Sequence, residues 1–207
     1  MARNVFISFR YSDGHEYKEE LAALFDENDD TVDFSEDENR SDMTDETIKK
    51  NLYDKLKRSR ITIVLLTPEA IEYQRELHGN INDWIYDEVR YSLEDRYGNG
   101  TNGLIGVYVP EAEDLLLRRN KHICSVCQKE SEVLTIIDNN NLVRKNMMNV
   151  LPEYKKNKCP GVYDGDYDSY CSLIAYSEFK NYPNKYIAIA SEKRDNIDKY
   201  TLCKQIY

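Results

Sequence analysis

The chain has 207 residues, of which 41% are hydrophobic and 32% charged. That is enough for one sizeable domain, or a domain with an elaborated tail, and too apolar a mixture for a disordered chain. The formal net charge of −10 works against binding nucleic acid or an anionic membrane, because both depend mainly on neutralising phosphate.

No stretch approaches the ~18 uninterrupted apolar residues of a membrane helix, and the opening "MARNVFISF" has no signal-peptide layout. A cytoplasmic address is the expectation. The five cysteines are an odd number without a secretory signal, so reduced thiols are expected.

"NVFISF" (4–9) is β-branched and aromatic between polar neighbours, which predicts a buried strand. Tyr17, Leu21, Leu24 and Phe25 recur at helical spacing and predict a helix over 14–27. "TVDF" (31–34) reads as a short second strand within the acidic run "DENDDTVDFSEDEN" (26–39), whose simplest role is a solvated loop. After the polar loop "SEDENRSD" (35–42), Thr44, Thr47, Ile48, Leu52 and Leu56 predict a helix to about Arg58. "RITIVLLT" (60–67) is the clearest strand, nearly all apolar as in a sheet covered on both faces. Pro68 stops it. A loop then leads to a helix around 82–96, and "GLIGVYV" (103–109) is the fourth strand.

Strand and helix alternate through residue 109 with connections suited to parallel βαβ units. The expectation is an α/β fold: a doubly wound, mainly parallel five-stranded sheet in flavodoxin-like order. After Pro110 the alternation fails. A charged helix candidate, "EAEDLLLRRNK" (111–121), precedes a cysteine pair, an Asn-rich turn and "KKNKCPGVYDGDYD" (155–168). "YCSLIAYSEF" (170–179) suits a fifth strand, and "PNKYIAIASEKRDNIDKY" (183–200) starts a helix on a proline. The chain thus divides into a core (1–118), an insertion (119–169), and a strand and helix (170–207) that complete the same domain.

Two motifs invite chemistry and carry little. "GNGTNG" (98–103) spells the dinucleotide fingerprint, but it follows a helix and precedes a strand. The fingerprint works only as a strand-to-helix turn. "HICSVC" supplies His122, Cys124 and Cys127, with Cys159 and Cys171 distant along the chain. Without a second pair at matching spacing, free or buried thiols are expected rather than a metal site. There is no G-x-S-x-G or P-loop, and the three histidines are scattered.

Glu88 is the anomaly. At about 100° per residue, Ile81, Trp84, Ile85, Val89 and Leu93 share one arc of their helix, and Glu88 falls inside it, while Asp83, Asp87, Arg90 and Glu94 lie opposite. A glutamate early in a helix can simply complement the helix dipole. The alternative is positional. In a doubly wound sheet, ligands bind outside the carboxyl ends of the strands, at the switch point between the first and third. The loop "RYSDG" (10–14) and the Glu88 helix border that point.

These residues bear a resemblance. "NVFISFRYSD" resembles the first strand and following loop of TIR domains, and "NDWIYDEVRYSL" the D-W-x-x-x-E segment carrying the catalytic glutamate of NAD-consuming TIR enzymes. The tail resembles the prokaryotic group that includes the Thoeris antiphage signalling proteins. The resemblance implies that Glu88 is catalytic and that NAD+ is the substrate, with no separate cofactor and no metal. It further implies that Ser8, Phe9, Arg10, Tyr11 and Trp84 contact the dinucleotide, Phe9 or Tyr11 by stacking and Arg10 through phosphate. Ser12 would add a second hydroxyl. The product would be a linear or cyclic ADP-ribose-type signal read by a separate effector protein. Residues 35–42 correspond to the loop through which TIR domains self-associate. The rival from another class is a non-catalytic TIR module that only assembles with its like. A receiver-type domain fits less well, because "SFRYSD" holds only Asp13 where an acidic cluster would sit.

Overall fold

The computed structural model describes residues 3–26, 31–33, 45–76, 84–95, 100–128, 130–136, 141–157, 159 and 162–205. Strands β1 (Arg3–Ser8), β2 (Thr31–Asp33), β3 (Ile61–Leu66) and β4 (Gly103–Tyr108) alternate with helices α1 (Tyr11–Asp26), α2 (Asp45–Arg58), α3 (Pro68–Glu76) and α4 (Trp84–Leu93). A 3-10 turn (Pro110–Ala112) and the short α5 (Glu113–Leu116) lead to an antiparallel hairpin of β5 (Leu117–Ile123) and β6 (Glu130–Ile136). Next come α6 (Leu142–Lys145), β7 (Cys171–Ala175), α7 (Tyr176–Asn181) and α8 (Pro183–Asp195). The sheet order is β2-β1-β3-β4-β7 with every pair parallel, the flavodoxin order. Among the described residues no helix is long and apolar enough to cross a membrane.

The nearly all-apolar β3 is buried along its whole length because both sheet faces are covered. On one face Val64 and Leu66 join Ile85, Val89 and Leu93 of α4, which recur every fourth residue as a buried helical stripe should. On the other face Ile63 and Leu65 meet Leu21 and Phe25 of α1 with Ile187 and Ala190 of α8. Gly103 admits α8, since a Cβ there would fall 2.4 Å from the Ala190 carbonyl oxygen.

Four elements differ from expectation. The loop expected after β3 contains α3. Pro68 does end the strand, but it also opens that helix as its first residue, with Thr67 Oγ1 accepting from the Ala70 amide at 3.3 Å. The helix expected over 111–121 stops at Leu116. From Leu117 the chain pairs with β6 instead, register Leu117 to Ile136 through Ile123 to Glu130, and strand pairing overrides local helix propensity. The fifth strand ends at Ala175, where α7 begins and buries Tyr176 and Phe179 three residues apart. The α1 helix begins at Tyr11, three residues earlier than its apolar spacing indicated.

Candidate functional site

The carboxyl end of β1 is tied to the carboxyl end of β3 by one side chain. Asp13, in the first turn of α1, accepts from Thr67 Oγ1 at 2.7 Å and from the Glu69 amide at 2.9 Å. It thereby satisfies an orphan N–H at the start of α3. Ser12 hydroxyl donates to the Glu69 carboxylate. Together these bonds brace the switch point of the sheet. The sequence offered a signal for the brace in Thr67-Pro68-Glu69, a cap residue followed by a first-turn proline.

Ser8 is the last residue of β1 and is fully buried. It pairs with Val64 in the sheet and lies on the same face as Phe6, two residues before it. Its Oγ has no hydrogen-bond partner among the described residues, an unusual state for a buried hydroxyl. Phe9 belongs to the opposite alternation and packs in part against the α1-side core. Arg10 is half-buried and Tyr11 is 56% exposed. Tyr11 stacks on His15 with centroids 4.7 Å apart, and its ring lies 6.4 Å from that of Phe9.

Glu88 is buried, with 8% exposure. Its placement follows from the contacts of α4. The last turn of α4 sits at the start of β3 and β4: Ser92 Oγ lies 2.7 Å from Thr62 Oγ1, Asn102 N donates to Ser92 O at 2.7 Å, and Thr101 Oγ1 donates to Leu93 O at 3.2 Å. The helix therefore runs opposite to the strands, its first turns nearest their carboxyl ends. Tyr91 packs against Tyr53 of α2 at 4.1 Å between centroids and against Phe6 and Leu56. Glu88 lies one helical turn before Tyr91, just as Ser8 lies one alternation beyond Phe6. Both steps lead toward the carboxyl ends of the strands, on the same face of the sheet. Asp87 forms an ion pair with Arg90 at 3.2 Å, the ordinary i,i+3 arrangement.

The fold therefore brings Ser8 and Glu88 to one face, with Arg10 in the adjoining loop and Tyr11 at the start of α1. Phe9 leans to the other side of the sheet. Trp84 is the first residue of α4, and its side chain lies outside the described residues, as does the loop 35–42. A cavity lined by Tyr154, Lys156, Lys193, Lys199 and Tyr200 belongs to the opposite end of the molecule. Lys193 there donates to Ser169 O at 2.8 Å and Ser172 Oγ at 2.6 Å, beside the amino end of β7.

A doubly wound sheet in flavodoxin order, with its first-strand loop braced to the third and a buried carboxylate on the helix beneath, defines a TIR-like α/β domain. The family described as "Thoeris protein ThsB, TIR-like domain" matches residues 6–114, just over half of the chain. The chain belongs to that family, and with it to Thoeris antiphage defence. The match covers β1 through α5 in part, and so includes Ser8, the Asp13 brace and Glu88. The cysteines lie beyond it.

Proposed function

We propose that this domain processes NAD+, with Glu88 as the catalytic carboxylate, and releases nicotinamide to form an ADP-ribose-type signal. The observation that carries the reading is a glutamate with 8% exposure on the sheet face where Ser8 ends β1, at the one place in such a sheet where ligands collect. The TIR-like family supports it.

Breaking the bond between nicotinamide and ribose passes through an oxocarbenium-like transition state. The leaving group is a cationic pyridinium that departs neutral, so no general acid is needed. One carboxylate is then sufficient where other glycosidases use two. Held on a helix and shielded from water, it stabilises the cationic sugar, or grips ribose hydroxyls, most strongly at the transition state. The Ser8 hydroxyl is the natural partner for a substrate hydroxyl on the same face. Arg10 is suited to phosphate, the exposed Tyr11 to stacking on a ring, and Trp84 to walling the pocket, while Phe9, on the other face, backs the Tyr11 ring.

The intermediate then has two fates. Water yields linear ADP-ribose. If water is kept out, an internal hydroxyl or an adenine nitrogen attacks the same carbon and closes a ring. A cyclic product is a message rather than a waste product, and it fits a protein that works with a separate effector and assembles with other TIR domains. The test is incubation of NAD+ with purified protein, and with protein from phage-challenged cells, followed by chromatography with mass detection. The expected products are free nicotinamide and a compound one water lighter than linear ADP-ribose. Linear product alone would leave a plain hydrolase. Neither preparation releasing nicotinamide would leave a non-catalytic TIR module.

A further inference from the structure

Beyond the TIR-like core, three cysteines meet. Cys124 and Cys127 close the β5–β6 hairpin, and Cys159 arrives from 35 residues further along the chain. Their sulfurs all lie within 4.8 Å of one another, with Cys124 Sγ 3.2 Å from Cys159 Sγ. We propose that Cys124, Cys127 and Cys159 bind a zinc ion in a structural site that staples the hairpin to the segment ahead of β7.

Four observations point the same way. The first is size. Zinc–thiolate bonds of ~2.3 Å in a tetrahedron put sulfurs ~3.8 Å apart, inside the range these three occupy. A disulfide would need a bond of ~2.0 Å between two of them and would leave the third unexplained.

The second is the shape of the turn. Gln128, directly after Cys127, adopts φ +58°, a left-handed conformation rare for a residue with a Cβ. The Gln128 amide donates to Cys124 O at 2.8 Å, and its side-chain amide donates to Ser125 O at 3.0 Å. The tight turn therefore brings both C-x-x-C sulfurs to one side, within reach of the third.

The third is the way the Cys159 loop is held. The Cys159 amide donates to Asn157 Oδ1 at 3.0 Å, and Lys155 Nζ donates to Cys159 O at 2.6 Å while lying 4.0 Å from the Tyr163 ring centroid. The third sulfur is thus presented by a loop with its own supports.

The fourth is the exposure of β5. Arg118, Arg119, Asn120, Lys121 and Ile123 are all exposed, and Ile123 and Val126 are 61% and 65% exposed. Cys124, at 3%, is buried between them. A strand that buries so little apolar surface at its end gains from a cross-link, and a metal is one of the few available.

Three soft thiolates select zinc among common cytoplasmic divalent ions. Binding displaces one proton from each thiol that is still protonated. The fourth position of the tetrahedron goes to water or an imidazole, and His122, two residues before Cys124, is the nearest such residue in sequence.

The test is metal content in full-length protein purified without chelators or immobilised metal. Elemental analysis should find about one zinc per chain. Cys127→Ser and Cys159→Ser should each lose it, while Cys203→Ser, outside the cluster, should keep it. Because a ligand variant can fail to fold, the wild-type protein provides a second readout. A mercurial reagent should release zinc to a metal-sensitive dye in step with the reaction of three thiols. Cobalt reconstitution should give thiolate-to-metal absorption with tetrahedral bands. Sub-stoichiometric zinc with freely reactive thiols would overturn the proposal. So would a chain lighter by two hydrogens with Cys124 and Cys159 linked, or zinc retained by both ligand variants.

Discussion

Two side chains, Glu88 and Ser8, carry most of the functional argument, and they differ in how visible they were. Glu88 was legible because it interrupts an apolar arc, and a periodic pattern exposes its own exceptions. Ser8 was only a hydroxyl near a loop. Its significance comes from full burial without a hydrogen-bond partner among the described residues, which no pattern reveals. A buried unsatisfied hydroxyl is a liability of about 1 kcal/mol or more, tolerable where a ligand completes it. Ser8→Ala is therefore expected to leave thermal stability unchanged or raise it, by up to about 1 kcal/mol, while weakening NAD+ use through a higher KM. Paired thermal melts and initial-rate kinetics check both halves. A clear loss of stability with normal kinetics would make Ser8 a packing residue.

At the scale of elements, the parallel alternation through β4 was readable because β1, β3 and β4 are mostly apolar and the intervening helices carry apolar residues at helical spacing. Elements whose boundaries depend on contacts were not. Pro68 both ends β3 and begins α3, and the second role rests on Asp13 reaching across from α1 to cap it. Leu117 leaves the expected helix because β6 is there to pair with it. The same dependence on distant partners places Lys193 of α8 in the interior, 2% exposed and bonded to Ser169 O and Ser172 Oγ.

Burial lowers the Lys193 pKa from 10.5 to about 8, against the raising influence of Cys171, Asp166, Asp164 and Glu192. Between those values the unfolded chain holds the extra proton, so stability rises with pH. Cys171 works in the other direction. Burial pushes its thiol from 9.0 to about 12, so the native state holds more protons above pH 9 and stability falls there. Tyr17 and Tyr200, both raised to about 12, add to the fall above pH 10. A rise from about pH 8 to 9, then a plateau and decline, is expected in urea midpoints. Lys193→Met should lack the rise. Parallel profiles for the two proteins would show that Lys193 does not titrate as its burial requires.

At the scale of the molecule, the two ends of the sheet gather different parts of the chain. The carboxyl ends of the strands bring together Ser8, the braced loop and the Glu88 helix. The opposite end gathers the chain's later segments, where Asn146 donates to Leu142 O and Cys203 O and accepts from the Cys203 amide. The cysteine cluster shows why this second half was hard to read. Cys159 is distant in sequence and adjacent in space, and only the folded path brings it to the C-x-x-C turn. The carboxyl end of the sheet, by contrast, depends on one strand and one helix whose motifs are local, so Glu88 and the loop after β1 were legible in the sequence.

The central claim is that Glu88 performs the chemistry, and one measurement addresses it directly: nicotinamide released from NAD+ by the activated wild-type protein and by Glu88→Gln at matched concentration and matched melting temperature. Glutamine preserves shape and removes the negative charge that the transition state needs. The account predicts turnover by the wild type and a loss of at least about a hundredfold in the variant, the scale of removing a principal electrostatic stabiliser. Full turnover by a well-folded Glu88→Gln protein would contradict it.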